Sequence, residues 1–181
     1  MKPNPNTIQT WDDVWTRTGY KFPEQQPVNE RKQRVASLIP KAVTVLDLAA
    51  GVGQITHYLH PSVKYIALDF SLAALKMNGK IRIQADINAL PIKPKSVHTV
   101  IAMEILDHID NRITFLRKIA RIANRQIILT VPDNRLPPTQ YPLHRTVYTN
   151  ESLTKLLARV LKHKTITTWK TELNLIARCK L

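Results

Sequence analysis

The sequence predicts an α/β fold with one mostly parallel sheet, and three observations lead to this prediction. Short apolar runs typical of buried strands alternate with segments of helical pattern along most of the chain. The first apolar run ends in an acid that a glycine-rich turn follows directly. The last two runs alternate apolar and polar residues, as the strands of a closing hairpin do. Such a chain buries its sheet between two helical layers, so we expect helices on both faces.

Seven segments have the composition of strands. The first, residues 43–48, is an apolar run that fits a parallel strand buried on both faces. The fifth is stopped by Pro132, because proline cannot donate to a strand ladder. The strands are predicted at residues 43–48, 63–68, 81–85, 97–103, 126–131, 165–170 and 173–180.

Helical segments precede the first strand and connect most of the others. Pro40 ends the first of them, and Asn150 is the predicted N-cap of the last. The helices are predicted at residues 30–39, 54–59, from near Ser71, 111–123 and 150–161.

The stretch from Val45 to Gln54 reads V-L-D-L-A-A-G-V-G-Q and places a glycine turn at the carboxyl end of the first strand. Ligands of open α/β sheets bind at this edge, and glycines let the backbone approach a ligand closely. A dinucleotide site would need a third glycine, but Thr56 stands there, and Asp47 would repel a pyrophosphate. A cationic ligand without phosphates, such as S-adenosylmethionine, removes both objections.

This stretch resembles motif I, D-x-G-x-G-x-G, of the class I S-adenosylmethionine-dependent methyltransferases, with Ala49 in place of the first glycine. The resemblance covers about residues 30–181. It implies a Rossmann-like seven-stranded sheet whose last strand is antiparallel to the others. It also implies that Asp47, Gly51 and Gly53 hold the methionine end of the cofactor.

Two further acids follow the next two strands. Asp69 comes 18 residues after Gly51 and can accept hydrogen bonds from the ribose hydroxyls; alternatively, it caps the helix that begins near Ser71. Asp86 is similar to the family's acid that meets the adenine amino group, and Ile87 can pack on the adenine face. The predicted cofactor site is completed by Ala49, Phe70 and Met103.

A second group of polar residues follows the fourth strand. The segment M-E-I-L-D-H-I-D, residues 103–110, resembles the E-V-L-E-H segment of the branch that contains ubiquinone-biosynthesis O-methyltransferases. In a helix, Glu104, Asp107 and His108 would share one face. His144 follows the fifth strand, where the branch commonly has a histidine. These four residues are the predicted catalytic residues on the acceptor side.

Two roles are open for these four residues. In some relatives a similar set binds a divalent metal, so Glu104, Asp107, His108 and His144 are candidate ligands of Mg²⁺ or Mn²⁺, which would lower the pKa of an acceptor hydroxyl. In metal-free relatives the acid and the histidine shape the cofactor pocket, or the histidine acts as a base. His108 can also be an ordinary polar residue whose hydrogen bonds are satisfied.

The N-terminal residues 1–30 are rich in Pro, Asn and Gln. Trp11 and Trp15 are spaced i, i+4 and would share one face of a helix. In resembling enzymes such a segment folds over the cofactor as a lid; the alternative is an arm packed on the sheet. We therefore divide the chain into an arm or lid at residues 1–30 and a methyltransferase domain at residues 31–181.

Length and composition narrow the remaining classes of protein. A chain of 181 residues with 44% hydrophobic residues forms one domain with a real core. No apolar run reaches the roughly 18 residues of a membrane span, and no apolar segment of a secretory signal is visible at the N-terminus. The single cysteine, Cys179, fits core packing in a reducing compartment. We expect a cytoplasmic protein without a membrane span.

The net charge of +14 attracts polyanions, which makes RNA a candidate partner. The basic residues are spread along the chain, however, and form no compact cluster. We expect an S-adenosylmethionine-dependent methyltransferase that acts on an oxygen or nitrogen of a small-molecule acceptor. The alternatives are an RNA methyltransferase, including metal-assisted ribose 2′-O-methylation, and a non-catalytic methyltransferase-like binding partner.

Overall fold

A seven-stranded sheet forms the centre of the protein. The computed structural model describes residues 4–17, 26–78, 81–133, 143–162 and 164–181, and all seven strands lie within them. In chain order the strands are β1 (Thr44–Leu48), β2 (Lys64–Asp69), β3 (Ile81–Gln84), β4 (Val97–Met103), β5 (Ala123–Pro132), β6 (Thr165–Lys170) and β7 (Asn174–Lys180). In space their order is β3-β2-β1-β4-β5-β7-β6.

The pairing of the strands confirms the predicted Rossmann-like α/β fold. Strands β1 to β5 run parallel to one another, whereas β7 runs antiparallel to both β5 and β6. The strand order reverses at β1, which pairs with β2 on one side and with β4 on the other. In open α/β sheets the ligand crevice lies outside the carboxyl ends of the strands at such a switch point.

Five α-helices belong to the described part of the chain. Asn111 caps the fourth helix and Ser71 the third, each by accepting a hydrogen bond from a backbone N–H in the first turn. The helices are α1 (Ile8–Arg17), α2 (Gln26–Ser37), α3 (Leu72–Lys76), α4 (Arg112–Ile122) and α5 (Asn150–Val160). Short 3₁₀ helices lie at Gln54–His57, Ile87–Ala89 and Leu106–His108.

Apolar side chains cover both faces of the sheet, as predicted. On one face α4 and α5 bury Phe115, Leu116, Leu153 and Leu157 against the strands. The core on the opposite face includes residues of α2, α3 and the first 3₁₀ helix, namely Val35, Ile55 and Leu75. Cys179 of β7 is buried in the first of these cores, as predicted for a cysteine in an apolar terminal strand.

Three features of the helices differ from the prediction. The segment predicted as a helix at 54–59 is a 3₁₀ turn, because His60 precedes Pro61 and a residue before proline disfavours helical backbone. Thr149, not Asn150, is the N-cap of α5, since Thr149 and Ser152 form a reciprocal capping box. Helix α2 begins at Gln26, so the predicted domain boundary at residue 30 falls inside a helix.

Among the described helices, none combines the length and the apolar composition that crossing a lipid bilayer requires.

Candidate active site

A cavity of about 800 Å³ opens at the carboxyl edge of the sheet. Its wall contains the first residues after β1, β2, β3, β4 and β5, together with the start of β7. Pockets that enclose a small ligand usually measure roughly 300–1,000 Å³. We call the part formed by residues 49–55, Asp69 and Asp86 the glycine end, and the part around Glu104, Asp107, His108 and His144 the histidine end.

The loop after β1 has the left-handed backbone that its glycines suggest. Gly51 and Gly53 have φ values of 53° and 72°. A Cβ at Gly51 would lie 2.6 Å from Cζ2 of Trp15, and one at Gly53 would clash with the Asn78 amide. Ala49, at the place of the motif's first glycine, also has a positive φ of 55°. The substitution therefore keeps the loop conformation at a cost of about 1–2 kcal/mol.

The backbone N–H groups of this loop are largely used within the protein. The N–H of Ala50 donates to Leu68 O at 3.1 Å, and the N–H of Gly53 donates to Ala50 O at 2.9 Å. The N–H of Gly51 donates to Oδ2 of Asp69 at 2.9 Å. A loop that binds pyrophosphate would instead direct such N–H groups at the ligand.

Asp69 is buried at the end of β2 and braces the loop. Besides the bond from Gly51, its Oδ1 accepts a hydrogen bond from the N–H of Ser71 at 2.8 Å. Ser71, not Asp69, caps α3 by accepting from the N–H of Ala74 at 3.1 Å. Burial raises the pKa of Asp69 above its ordinary value. Asp69 also lines the cavity with Phe70, so its carboxylate lies where a ligand could reach it.

Asp47 lies away from the cavity wall. Its position on β1 gives it the same sheet face as Val45, and the hydroxyl of Tyr65 donates to its Oδ2 at 2.7 Å. Burial raises the pKa of Asp47 to about 7. Within the described residues, Asp47 is not part of the cavity lining, unlike the other predicted cofactor residues. Those that line it are Ala49, Gly51, Gly53, Asp69, Phe70, Asp86, Ile87 and Met103.

Asp86 is exposed at the edge of the cavity. Its Oδ1 accepts a hydrogen bond from the N–H of Asn88 at 2.7 Å, which caps the 3₁₀ helix that Ile87 begins. The strand ends thus bring Asp69 and Asp86 to one cavity, as the parallel sheet requires.

At the histidine end, Glu104 has a left-handed backbone with a φ of 53°. This conformation ends β4 and prevents the helical turn that would have put Glu104, Asp107 and His108 on one face. The Glu104 carboxylate instead accepts a hydrogen bond from Thr130 Oγ1 at 2.8 Å and lies 3.1 Å from Nη1 of Arg31. Asn174 also donates to it, at 3.0 Å.

Asp107, His108 and His144 come together without Glu104. Oδ2 of Asp107 lies 3.2 Å from Nε2 of His144 and 3.4 Å from Nε2 of His108. The three groups offer ligand atoms that lie within 4.8 Å of one another. Backbone hydrogen bonds hold His144 beside Asp107, because the N–H groups of the next two residues, Arg145 and Thr146, donate to the carbonyl of Asp107.

The protonation of this cluster follows from its burial. Asp107 is 1% exposed, and burial, reinforced by the charge of Glu104, raises its pKa. Burial lowers the pKa of His108 and of His144, which favours neutral imidazoles at pH 7. Among the described residues neither oxygen of the Asp107 carboxylate accepts a regular hydrogen bond, and the two imidazole nitrogens are its charge contacts.

A hydrogen bond of the His108 Nδ1 atom fixes the tautomer of this histidine. Nδ1 lies 3.0 Å from the carbonyl oxygen of Leu143, which can only accept, so Nδ1 carries the proton. Nε2 of the neutral ring then carries a lone pair, which faces Oδ2 of Asp107. Two acceptors at 3.4 Å require a proton or a cation between them.

The N-terminal helix α1 contacts both ends of the cavity. The ring of Trp11 meets the ring of His108 edge-on at 5.2 Å, and Trp15 packs on Gly51 at the other end. The side chain of Asp12 accepts hydrogen bonds from Ser71 and Ala73 beside α3. Both tryptophans line the cavity, so α1 spans its two ends.

Two basic residues of α2 also line the cavity, and we had not predicted them. Arg31 reaches Glu104, and Nζ of Lys32 donates to Oε1 of Gln54 at 2.7 Å. The helical pattern of residues 30–39 was visible in the sequence, but its basic residues appeared as part of the general charge. The sequence contained no motif that would have distinguished this pair.

Residues 46–129 match the family model described as a methyltransferase domain. The chain therefore contains a methyltransferase domain. The sequence prediction of this enzyme class is therefore confirmed. No curated protein sequence matches the chain.

Solved structures share the fold of this methyltransferase at low sequence identity. A chain from a Haloferax volcanii complex between the Trm112 methyltransferase activator and a methyltransferase is 14% identical, with a TM-score of 0.74, over 93% of this chain and 96% of that one. Magnesium protoporphyrin IX methyltransferase from Synechocystis PCC 6803 with bound SAH is 17% identical, with a TM-score of 0.71, over 93% of each chain. An S-adenosylmethionine-dependent methyltransferase from Aquifex aeolicus is 15% identical, with a TM-score of 0.65, over 99% of each chain.

Proposed function

We propose that this methyltransferase transfers the methyl group of S-adenosylmethionine to an oxygen or nitrogen of a small-molecule acceptor. The charge of the cavity carries the proposal. Five acids line its described part, whereas only two of the Lys and Arg residues that the structure describes do so. Most of the described positive charge therefore lies outside the cavity, and it favours a polyanion at the surface rather than at the reacting atoms. The acids are Asp69, Asp86, Glu104, Asp110 and Asp133, and the basic residues are Arg31 and Lys32.

The shape of the cavity supports the same proposal. Its volume of about 800 Å³ is adequate for the cofactor together with a small acceptor. Helix α1 covers the mouth with Trp11 and Trp15, as a lid over a small ligand would. The resemblance of residues 103–110 to the ubiquinone-biosynthesis O-methyltransferases supports an oxygen as the acceptor atom.

We place the cofactor at the glycine end. Asp69 would receive the ribose hydroxyls, Asp86 the adenine amino group and Ile87 the adenine face. The hydrogen bonds within the loop support a ligand without phosphates, because the N–H groups of Ala50, Gly51 and Gly53 already donate to oxygens of the protein.

The histidine end supplies the base in this proposal. Bound S-adenosylmethionine provides a methyl carbon that the sulfonium charge has already activated. The tasks left to the chain are to align the acceptor and to remove its proton. A neutral His144 that carries its proton on Nε2, 3.2 Å from Oδ2 of Asp107, has its basic lone pair on Nδ1. His144 lines the cavity, so Nδ1 is our candidate for the atom that takes the proton.

A divalent cation is a second candidate occupant of the histidine end. Asp107, His108 and His144 form a set of two imidazoles and one carboxylate that suits Mn²⁺ or a similar ion. The bond from His108 Nδ1–H to a backbone carbonyl is the outer contact that metal-binding histidines commonly make. Glu104 is engaged with Arg31, so the proposed set has three ligands and not the four that we predicted.

RNA remains a second candidate acceptor, supported by the net charge of +14. Binding of RNA through phosphates would weaken steeply with salt, because bound counterions are released. An activator protein is a candidate partner, since the Haloferax volcanii neighbour forms a complex with Trm112.

The proposal is tested by transferring a labelled methyl group from S-adenosylmethionine into a cell extract that is then separated into RNA and small-metabolite fractions. Label in the metabolite fraction supports a small acceptor, and label in RNA overturns that part. Loss of label with a chelator, and its return with Mn²⁺, would identify a metal at the histidine end. Absence of any S-adenosylmethionine binding would leave a non-catalytic binding role.

A further inference from the structure

The edge of the sheet opposite the cavity carries a row of basic residues. In the sequence the basic residues are spread along the chain, and we expected no compact cluster. The fold brings nine of them together, because six adjacent strands each have a lysine or arginine at or near the end that lies away from the cavity. All nine residues are exposed. We call this group the basic edge: Lys41, Lys64, Lys93, Lys95, Arg121, Arg125, Lys162, Lys164 and Lys180.

Strand pairing and backbone hydrogen bonds join the parts of the basic edge. Lys64 is paired with the first residue of β1, and Lys180 is paired with the first residue of β6. The N–H of Lys95, just before β4, donates to the carbonyl of Arg121 at the end of α4, at 2.9 Å. Neighbouring strands lie roughly 4.8 Å apart, so a row across six strands is about 24 Å long.

Acidic residues are missing from this edge. Neither Asp nor Glu occurs in the segments of the sequence that contain the nine basic residues, namely 38–43, 58–64, 90–96, 121–126, 161–165 and 180–181. Within the described part of the chain, none of the nine forms an ion pair. The five acids of the cavity lie at the other ends of the strands. The charge is thus separated along the strands, and the basic edge is the end that attracts a polyanion.

The form of the basic edge favours a nucleic acid over a membrane surface. Each strand of a duplex presents one phosphate per roughly 3.4 Å of its axis, so a row about 24 Å long can meet several phosphates at once. Binding at a membrane surface commonly adds large apolar side chains that enter the lipid interface. The exposed side chains of this kind in the described chain lie outside the segments of the basic edge: Ile8, Leu72, Met77, Ile81 and Leu173.

We propose that the basic edge binds the phosphate backbone of a nucleic acid, at a site separate from methyl transfer. The seven residues of β4 span roughly 20 Å, which keeps phosphates held at this edge away from the cavity. The bound nucleic acid anchors the enzyme and is not the methyl acceptor. Contacts to phosphates carry no sequence information, so this binding has no preference among base sequences. The inference goes beyond the proposed function and does not depend on it.

Fluorescence anisotropy of the full chain with a labelled RNA duplex of about 20 base pairs, longer than the basic edge, tests the proposal. Affinity should fall by about 10²- to 10³-fold between about 50 and 200 mM salt, as about five neutralised phosphates predict. A saturating amount of the duplex should leave the affinity for S-adenosylmethionine unchanged, because the two sites are at opposite ends of the strands.

A triple variant, Lys93→Gln with Arg125→Gln and Lys180→Gln, removes three charges from neighbouring strand ends outside the cavity lining. It should weaken binding of the duplex by about 10- to 100-fold and lower the slope of log affinity against log salt by about 3. Circular dichroism checks that the variant is folded.

The matched control is the triple variant Arg17→Gln, Arg117→Gln and Lys155→Gln, which removes the same charge from exposed positions on α1, α4 and α5. It should keep the wild-type salt slope and an affinity within about 3-fold of the wild type. Equal weakening in both triple variants would show that only the net charge matters, and would overturn the proposal.

Two results with the wild type alone would also overturn it. The first is weaker binding to the duplex than to vesicles that contain phosphatidylserine, which would assign the basic edge to a membrane surface. The second is displacement of S-adenosylmethionine by the duplex, which would place the nucleic acid in the cavity. Failure to bind S-adenosylmethionine at all would refute the proposed function and leave the two salt slopes as the test of the basic edge.

Discussion

The two ends of the cavity are built in different ways. The glycine end comes from one continuous loop and from the strand ends that the parallel sheet places beside it, with Asp69 and Asp86 as the next acids along the chain. The histidine end is assembled from side chains far apart in sequence. Asp107 contacts His144, and Glu104 contacts Arg31 and Asn174. Backbone geometry thus determines the first end, and tertiary packing determines the second.

The two ends also differ in how their buried acids are satisfied. Asp69 accepts backbone hydrogen bonds from Gly51 and Ser71 and so stabilises a loop conformation. Asp107 has only two imidazoles as described partners and faces the lone pair of one of them. Buried groups with raised pKa values and incomplete hydrogen bonding are typical of sites that move protons or bind metals. We therefore expect substitutions at the glycine end to affect binding and those at the histidine end to affect turnover.

The largest effect should come from His144→Ala. If His144 is the base, its loss should lower the rate of methyl transfer by about 10²- to 10⁴-fold, while the affinity for S-adenosylmethionine changes by less than about 3-fold. Initial rates and calorimetric titration measure the two quantities. His57→Ala, an exposed histidine outside the cavity lining, is the control and should behave as the wild type. Equal loss of rate and cofactor affinity in His144→Ala would contradict the separation of the two ends.

Asp69→Ala should have the next largest effect. The substitution removes the acceptor for the Gly51 N–H and the proposed ribose contact, so the affinity for S-adenosylmethionine should fall by about 10- to 100-fold. Equilibrium binding measures it, with circular dichroism as the check on folding. Wild-type affinity in a folded Asp69→Ala protein would remove Asp69 from the cofactor site.

Gly51→Ala should destabilise the protein by roughly 1–3 kcal/mol, because the new Cβ meets the Trp15 ring and φ is positive. This loss of stability measures how closely α1 packs on the glycine end. In Trp15→Ala the same glycine substitution should cost less, since the ring is gone and only the backbone strain remains. Urea unfolding of the four proteins gives the comparison. An identical cost with and without Trp15 would show that α1 does not pack on the loop.

The smallest effect concerns Asp47, which braces β1 from outside the cavity. Its pKa is raised from 3.8 to about 7 by burial, so the folded state favours the protonated form. Its contribution to the free energy of unfolding therefore declines as pH rises from about 4 to about 7 and is constant above that. Asp47→Asn, which can still accept from Tyr65, should flatten this part of the pH profile. Thermal unfolding between pH 4 and pH 8 tests it, and an unchanged slope in the variant would contradict a buried, proton-binding Asp47.

The difference between the two ends also explains which parts of the fold and of the site could be predicted from the sequence. The alternation of strands with helices and the placement of acids after strands are local signals. They predicted the sheet and the positions of Asp69, Asp86 and Ile87 at its ligand-binding edge. The same periodicity puts Asp47 on the face of Val45, under Tyr65, which the motif alone did not reveal. Thr149 replaced Asn150 as a cap because both are good N-cap residues and the choice depends on the partner Ser152.

The histidine end could be predicted only in part. The resemblance of residues 103–110 and of the later histidine to the branch predicted Asp107, His108 and His144, but their assembly depends on the hydrogen bonds from Arg145 and Thr146 to the Asp107 carbonyl. The pairing of Glu104 with Arg31 joins residues 73 positions apart, and no local pattern encodes such a contact. The position of Lys32 in the cavity wall was not predicted, for the same reason.

The most direct test of the two-ended site is a crystal structure of the protein with S-adenosylhomocysteine. We expect adenine beside Asp86 and Ile87, ribose hydroxyls within hydrogen-bond distance of Asp69, and the sulfur directed to the side of the cavity that holds His144. A cofactor bound in the reverse direction, or outside the cavity, would contradict the proposed two-ended site.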